Sequence, residues 1–182
     1  MKIISGIYKG RVLEGFDIDG TRPTMDRVKE SLFGMIQNNI PNSTVLDLFS
    51  GSGNLGLEAL SEGASLAVLV DQNKKAIDTI NRNINNIGIS SVKVLWMDYQ
   101  KALDSLKEDK VKFDVIFLDP PYKTDYIEKS IIKITENDLL AEEGIIICES
   151  DNLNKIIYSN HYKSVKEKKY GDKYIVILKK IC

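Results

Sequence analysis

The stretch of sequence that decides the fold is Asp47-Leu48-Phe49-Ser50-Gly51-Ser52-Gly53-Asn54-Leu55-Gly56. A strand is predicted before it, over 44–49, and an amphipathic helix after it, over 54–62. The stretch therefore places a G-x-G-x-x-G pattern between a strand and a helix, where glycines let the backbone approach a ligand at the helix N-terminus. Because dinucleotide-binding enzymes share this pattern, other residues have to identify the ligand.

The same alternation of short apolar runs and helical runs continues to the end of the chain. Strands are predicted over 44–49, 66–71, 92–96, 113–118, 144–149, 162–169 and 173–179, and helices over 54–62, 73–86, 99–107, 125–136 and, briefly, near 151–157. Near-continuous apolar strands such as Ile145-Ile146-Ile147 are typical of a parallel sheet that is covered on both faces. The turn signal around Gly171 predicts that one of the last two strands runs antiparallel.

The segment before the first of these strands has a different pattern. Two short β-prone runs, 2–5 and 10–14, predict a small N-terminal hairpin, and apolar residues at helical spacing predict a helix over 25–39. We expect a single α/β domain over 1–182, in which this 1–40 extension packs on a core formed by 44–182.

Composition excludes several classes of protein. The 182 residues are 43% hydrophobic and 28% charged, which is typical of a globular domain, and no apolar run approaches the length of a membrane helix. We therefore expect a cytoplasmic protein without a membrane partner. Cys148 and Cys182 have neither the number nor the spacing of a zinc site, so no metal is expected.

The net charge of −1 conceals two basic clusters, one in the first 30 residues and one in the C-terminal tail. The clusters consist of Lys2, Lys9, Arg11, Arg22, Arg27 and Lys29, and of Lys163, Lys166, Lys168, Lys169, Lys173, Lys179 and Lys180. Each cluster is either a solvated face or a footprint for nucleic acid, and the sequence leaves both interpretations open.

Asp47, at the end of the first core strand, identifies the ligand of the glycine loop. A carboxylate at this position would repel a pyrophosphate but attract a cation. S-adenosylmethionine carries two, an ammonium group on its amino-acid tail and a sulfonium group. The sequence therefore favours S-adenosylmethionine over a dinucleotide.

Further candidate contacts to this cofactor lie in the loop and at the ends of the next two strands. The loop candidates are Phe49, Ser50, Gly51 and Gly53. Asp71 ends the second strand, where this type of fold places an acid on ribose hydroxyls, and Asp98 follows the third strand, where a carboxylate could accept the amine of adenine. Either acid could instead cap the helix that follows it.

The motif that predicts the reaction is Asp119-Pro120-Pro121-Tyr122, at the end of the apolar strand 113–118. The prolines hold the backbone extended. The Asp119 carboxylate and the Pro120 carbonyl could then accept both N–H groups of an exocyclic base amine and expose its lone pair, so that catalysis would consist of positioning and electrostatics. Tyr122 would provide a face on which the extruded base stacks.

Together with the glycine loop, this motif resembles the amino-methyltransferases of nucleic acids. The runs Ile4-Ser5-Gly6-Ile7-Tyr8-Lys9-Gly10-Arg11-Val12-Leu13, Thr21-Arg22-Pro23-Thr24 and Arg27-Val28-Lys29-Glu30-Ser31-Leu32-Phe33 narrow the resemblance to the bacterial RsmD family. That family comprises guanine-N2 methyltransferases of small-subunit ribosomal RNA, and the likeness covers nearly the whole chain.

The resemblance implies a Rossmann-like class I S-adenosylmethionine methyltransferase with seven strands, one of them antiparallel. It implies that Gly51, Gly53, Asp71 and Asp98 bind the cofactor, and that Asp119, Pro120 and Tyr122 hold a guanine of 16S rRNA in the small ribosomal subunit or its assembly intermediate. No protein partner is implied. Arg22 and Arg27 are candidates for RNA contacts near the target, although either could pair with carboxylates of the core.

Two alternatives remain open at this point. A DNA adenine-N6 methyltransferase would use the same Asp119 to Tyr122 motif, but it needs a target-recognition region for which 182 residues leave little room. An RNA-binding assembly factor without catalysis could retain the fold, but the intact acid and the complete glycine loop argue against lost activity.

Overall fold

The computed structural model describes residues 1–15 and 26–181, and a seven-stranded sheet forms its centre. The strands of this described part are β1 (Thr44–Asp47), β2 (Leu66–Asp71), β3 (Val92–Trp96), β4 (Phe113–Leu118), β5 (Leu140–Ser150), β6 (Tyr162–Tyr170) and β7 (Lys173–Lys180). Its helices are α1 (Asp26–Ile36), α2 (Asn54–Ser61), α3 (Lys74–Ile87), α4 (Tyr99–Glu108) and α5 (Tyr126–Glu136), with a 3-10 turn at Leu153–Lys155.

The strand order is β3-β2-β1-β4-β5-β7-β6. The five strands from β3 to β5 are parallel, and β7 runs antiparallel between β5 and β6. The sheet predicted from the sequence, mostly parallel with one antiparallel strand, is therefore confirmed. The chain order reverses between β1 and β4, and in such sheets ligands bind in the crevice outside the carboxyl ends of the strands at this point.

Two apolar layers cover the sheet, because both faces of its central strands are apolar. On one face, side chains of α1, α2 and α3 pack on alternate strand residues such as Val45 and Phe117. On the other face, α4 and α5 pack on the intervening residues such as Leu46 and Ile116. Burial on both sides explains why these strands appear in the sequence as unbroken apolar runs. None of the helices in the described ranges has the length and the apolar composition needed to cross a bilayer.

The N-terminal hairpin differs from its prediction. The two runs approach each other antiparallel, but they form only an isolated bridge, between Lys2 and Val12, instead of two strands. The reason is that the backbone N–H groups of Ile4 and Ser5 donate to the carboxylate of Glu58 on α2, at 2.9 to 3.0 Å. The segment is therefore held both by the other run, through bonds such as Ile3 N–H to the Arg11 carbonyl, and by α2.

The buried ammonium group of Lys29 joins this segment to α1 and α2. Lys29 Nζ lies 2.7 Å from a carboxylate oxygen of Glu58, and it also donates to the carbonyl of Lys2 and to Oδ1 of Asn54, each at 2.7 Å. Asn54 is the first residue of α2 and follows the glycine loop directly. The N-terminal segment is thus linked through Lys29 to the start of α2, the helix that follows the glycine loop.

Candidate active site

The glycine loop connects β1 to α2 at the carboxyl edge of the sheet. Gly51 and Gly53 have positive φ values of 57° and 83°, a conformation that glycine adopts without steric cost. The chain therefore turns sharply enough for α2 to begin at Asn54.

Asp47, the last residue of β1, is the most deeply buried acid of the site, with 1% of its surface exposed. Its Oδ2 accepts a hydrogen bond from Gly56 N–H at 3.1 Å, whereas its buried Oδ1 has no hydrogen-bond partner in the described part of the chain. Burial raises the pKa of Asp47 to about 7; the Gly56 hydrogen bond opposes this increase, and the nearby Asp71 adds to it. A buried acceptor without a donor fits a cationic ligand group, such as the ammonium of S-adenosylmethionine.

Asp71 ends β2, next to β1, and faces the same loop. Its Oδ2 accepts from Gly51 N–H at 3.0 Å and its Oδ1 from Asn73 N–H at 2.8 Å. Partial burial raises the pKa of Asp71, while these hydrogen bonds lower it. The carboxylate is therefore held in a fixed orientation, and each of its oxygens still has a lone pair that could accept a ribose hydroxyl.

Two loop residues that the sequence suggests as cofactor contacts have structural contacts of their own. Ser50 Oγ donates to the carbonyl of Asp47 at 2.6 Å and accepts from Val70 N–H at 2.9 Å, so its hydroxyl joins β1 to β2. The Phe49 ring packs against the rings of Tyr99 and Tyr126, with centroids 5.2 and 5.9 Å apart. The side chains of Ser50 and Phe49 therefore fix the loop through contacts with the rest of the protein.

Asp98 lies where the sequence predicts it, two residues beyond the end of β3. Since Trp96 pairs with Asp71 across the sheet, Asp98 is close to the ribose candidate. Its Oδ1 accepts from the backbone N–H groups of Gln100 and Lys101, at 2.9 and 3.3 Å, so it is the N-cap of α4. Of the two roles that the sequence left open for Asp98, the structure shows the helix cap, which its Oδ1 provides.

The Asp119-Pro120-Pro121-Tyr122 segment follows β4 directly, next to β1. Asp47 pairs with Phe117 across the two strands, so Asp119 lies only two residues beyond the partner of Asp47. Pro120 is buried, and Thr124 Oγ1 donates to the carbonyl of Pro121 at 2.7 Å, which closes the turn. The strand register therefore places the reaction motif beside the cofactor candidates.

Tyr122 is anchored by two side chains that the sequence analysis did not identify as site residues. Its hydroxyl donates to Glu149 Oε1 at 3.2 Å, and Lys173 Nζ lies 5.7 Å from the centre of its ring. Glu149 and Lys173 form an ion pair whose side chains are 4% and 6% exposed. Burial raises the pKa of Tyr122 well above its usual value, and Glu149 raises it further. Burial alone would lower the pKa of Lys173, but Glu149 beside it raises it.

A signal for Glu149 was present in the sequence. Four apolar strands have an acid at their carboxyl end: Asp47 and Asp71 are the last residues of β1 and β2, Asp119 directly follows β4, and Glu149 is the last residue but one of β5. Lys173 had no comparable signal, because it was one of seven basic residues in the tail.

Of the two arginines predicted to contact RNA, the structure describes only Arg27. Arg27 is exposed in the first turn of α1, one turn before Ser31, and Ser31 is hydrogen-bonded to Tyr170 at the end of β6. Arg22 lies outside the described residues, so its position remains a prediction.

The fold is shared with known methyltransferases. The ribosomal protein L11 methylase of Lactobacillus delbrueckii subsp. bulgaricus superimposes with a TM-score of 0.67 at 18% identity, covering 86% of this chain and 80% of that one. The solved Escherichia coli protein yhhF gives a TM-score of 0.87 at 28% identity, covering 99% and 97% of the two chains. The sheet order and the glycine loop define a Rossmann-like class I methyltransferase fold.

Sequence comparison then identifies the family. The family model described as Conserved hypothetical protein 95 matches residues 1–179. Ribosomal RNA small subunit methyltransferase D of Haemophilus influenzae is 35% identical over 173 residues, which is 94% of this chain and 89% of the relative. The chain belongs to this family, the RsmD family, as the resemblance of its N-terminal and catalytic motifs predicted.

Proposed function

We propose that this protein transfers a methyl group from S-adenosylmethionine to the exocyclic N2 amine of a guanine in 16S rRNA of the small ribosomal subunit or its assembly intermediate. The observation that carries the proposal is the juxtaposition of two motifs on neighbouring strands. Asp47, with its unpartnered Oδ1, ends β1, and the Asp119 to Tyr122 segment follows β4 beside it.

The residues of the glycine loop fit the cofactor. Asp47 Oδ1 is the acceptor for the ammonium group, Asp71 for the ribose hydroxyls, and Asp98 lies at the side of the adenine ring. Gly51 and Gly53 keep the loop free of side chains where the ligand approaches. When bound, S-adenosylmethionine supplies an electrophilic methyl group on a positively charged sulfur.

Asp119 and Pro120 activate the amine. The lone pair of an exocyclic amine is delocalised into the base, so the nitrogen is a weak nucleophile. The Asp119 carboxylate and the Pro120 carbonyl accept its two N–H groups and favour a pyramidal nitrogen, which directs the lone pair out of the plane of the ring. The proton that is lost after the attack leaves to solvent, so no general base is needed.

Tyr122 positions the base. Its hydroxyl donates to Glu149, and the ammonium group of Lys173 lies 5.7 Å from the centre of its ring, so these two partners hold the ring in place. The target base stacks on this ring. Such base–aromatic stacking contributes about 1 to 3 kcal/mol.

The choice of substrate is supported by the family. The name of the Haemophilus influenzae relative assigns to that protein a methyltransferase activity on small-subunit ribosomal RNA. The preference for guanine N2 comes from the RsmD resemblance, since Asp119 and Pro120 could hold the amine of adenine equally well.

The test is methyl transfer from labelled S-adenosylmethionine to undermethylated small subunits, free 16S rRNA and duplex DNA in parallel, with mass spectrometry of the modified base. N2-methylguanine in the subunit or the rRNA is the expected product. N6-methyladenine in DNA would overturn the substrate, and cofactor binding without any transfer would favour the assembly-factor alternative.

A further inference from the structure

Strand β6 lies at the open edge of the sheet and carries lysines on one face. Residues directly opposite each other in an antiparallel pair share a face. Lys163, Lys166 and Lys168 lie opposite Lys179, Ile177 and Ile175 of β7. Those two isoleucines belong to the apolar layer that includes α1, so the three lysines point to the α1 side of the sheet.

The opposite face of β6 has a different composition. Ser164, Glu167 and Lys169 lie opposite Leu178, Val176 and Tyr174, and the side chains of Leu178 and Val176 belong to the α4 and α5 layer. Lysines on an edge strand commonly prevent edge-to-edge aggregation, but that role does not require one particular face. Three of the four β6 lysines nevertheless lie on the α1 side, and only Lys169 lies on the other, so this bias calls for another explanation.

The lysine row leads to the candidate active site. Lys168 Nζ lies 3.4 Å from Ser31 Oγ on α1 and 5.2 Å from the centre of the Tyr170 ring. Tyr170 is opposite Lys173, which lies over the ring of Tyr122. The row thus ends beside the ring on which we place the target base. Arg27, exposed one turn before Ser31, extends the same surface onto α1.

The three lysines have their charges available for an anionic partner. All three are exposed, and none forms an ion pair with a carboxylate of residues 1–15 or 26–181. At about 3.3 Å per residue, and with a bulge between Ser164 and Lys166, the row is roughly 13 to 16 Å long. Since the net charge of the chain is −1, this surface is a local concentration of positive charge.

We propose that Lys163, Lys166 and Lys168, together with Arg27, form a lysine stripe that binds the phosphate backbone of the RNA next to the target nucleotide. The inference rests on the proposed function, since it assumes an RNA substrate. The stripe supplies affinity and orientation, while Asp119 and Tyr122 select the base, because phosphate contacts position a nucleic acid and base contacts specify it.

The test compares two triple variants with equal loss of charge. Lys163→Gln, Lys166→Gln and Lys168→Gln remove the stripe. Lys101→Gln, Lys107→Gln and Lys110→Asn remove three exposed lysines on or after α4, on the other side of the sheet. Asn is chosen at Lys110 because its φ is 54°, a conformation that Asn tolerates. Thermal unfolding and S-adenosylhomocysteine binding verify that both variants are folded.

Affinity for free 16S rRNA and for the small subunit is measured from low to high salt, and transfer is measured separately. Each phosphate contact contributes about 0.7 to 0.9 to the slope of log K against log salt. The stripe variant should therefore lose about 2 units of slope and roughly 10- to 100-fold in affinity at physiological salt. Its KM for RNA should rise by a similar factor with little change in kcat, and the control should match the wild type.

The outcomes separate the two proposals. Equal slopes for the stripe variant, the control and the wild type would overturn the stripe, whatever the transfer assay shows. A stripe variant that loses affinity for the subunit, but retains the wild-type slope on free rRNA, would assign the surface to a ribosomal protein and overturn the RNA assignment. Absence of transfer by the wild type on any RNA would overturn the proposed function, while the binding slopes would still decide the stripe.

Discussion

Asp47 is subject to two opposing requirements. The proposed contact to the ammonium group needs its negative charge, whereas burial without a donor at Oδ1 disfavours that charge and raises its pKa to about 7. A carboxyl whose pKa is higher in the folded state than in the unfolded chain adds stability below the unfolded pKa of about 3.8, and that stability is lost as pH rises through about 7. At high pH the buried Asp47 carboxylate therefore lowers the free energy of unfolding.

Asp47→Asn should thus have opposite effects on stability and on binding. At pH 8 the variant should be more stable than the wild type without ligand, by on the order of 1 to 3 kcal/mol, and the difference should shrink as pH falls towards 4. Its affinity for S-adenosylhomocysteine, which retains the ammonium group, should fall about 10- to 100-fold. Urea unfolding and calorimetric titration between pH 5 and 8 measure both quantities.

The wild-type affinity should itself decrease as the pH falls below about 7, because Asp47 becomes protonated and loses its attraction for the ammonium group. In Asp47→Asn this decrease should be weaker. An identical pH dependence in the two proteins would show that another group, such as Asp71, causes it, and would remove Asp47 from the ammonium site.

The Glu149 and Lys173 pair should stabilise the fold only as a pair. Lys173→Met leaves a buried carboxylate without its cation, and Glu149→Gln leaves a buried ammonium without its anion, so each should cost about 3 to 5 kcal/mol. The double variant should cost less than the sum of the two. Chemical denaturation of all four proteins gives the coupling energy.

Lys112→Met is the matched control for this cycle, because Lys112 pairs with Asp138 at the surface, where the side chains are 48% and 69% exposed. It should cost less than about 1 kcal/mol.

Strictly additive effects of Glu149→Gln and Lys173→Met would contradict the coupling. An unchanged kcat in a folded Lys173→Met variant would show that the pair does not position Tyr122.

The sequence predicted which acids lie together at the crevice but not their partners. Asp47, Asp71 and Asp119 could be predicted because an acid at the end of an apolar strand is a local pattern. Asp98 was ambiguous, since an N-cap and an adenine contact occupy the same position in a sequence. The contact between Tyr122 and Lys173 spans 51 positions and depends on the antiparallel return of β7, which no local pattern specifies.

At the level of whole elements, the strands that are buried on both faces were predicted best. The predicted bounds of β2 and β4 agree with the structure, because the ends of their apolar runs coincide with the ends of the strands. The bounds of β3 also agree, although this edge strand is only partly buried. The start of β5 at Leu140 was missed, since exposed Glu142 and Glu143 interrupt its apolar pattern. The N-terminal runs pair antiparallel as predicted, but they do not form two regular strands, because the N–H groups of Ile4 and Ser5 donate to Glu58, more than 50 positions away.

Close packing of this N-terminal segment on α2 can be tested at two glycines. Both Gly6 and Gly10 have positive φ, of 80° and 84°. A Cβ on Gly6 would lie 1.8 Å from the carbonyl oxygen of Ser61, whereas a Cβ on Gly10 would meet nothing within 4 Å. Gly10→Ala should therefore cost only the conformational strain of about 1 to 2 kcal/mol.

Gly6→Ala should cost clearly more than Gly10→Ala, because the segment has to move away from α2 and loses its hydrogen bonds to Glu58. Movement of α2 should also weaken S-adenosylhomocysteine binding in Gly6→Ala, since the glycine loop leads into that helix. Equal stability losses in the two variants, as determined by thermal unfolding, would show that the segment is not closely packed on α2.

For the molecule as a whole, the structure divides the candidate site residues between two groups of strands. The cofactor candidates lie at or just after the ends of β1, β2 and β3, and the base candidates follow β4, with the border between β1 and β4. The two groups belong to one sheet and share two apolar layers, so ligand binding by either group should stabilise the entire fold.

This division predicts that transfer and cofactor binding can be separated. Asp119→Ala removes an acceptor for the base amine, so transfer should decrease at least about 100-fold. The cofactor acids remain, so S-adenosylhomocysteine at 100 times its Kd should still add about 2.7 kcal/mol to the stability of the variant, as it does in the wild type. Asp47→Asn, with its 10- to 100-fold weaker affinity, should gain only about 0.4 to 1.4 kcal/mol at the same ligand concentration. If Asp119→Ala retained full transfer, the amine would be activated elsewhere; if it lost the ligand-induced stabilisation, the border between the two groups would not lie between β1 and β4.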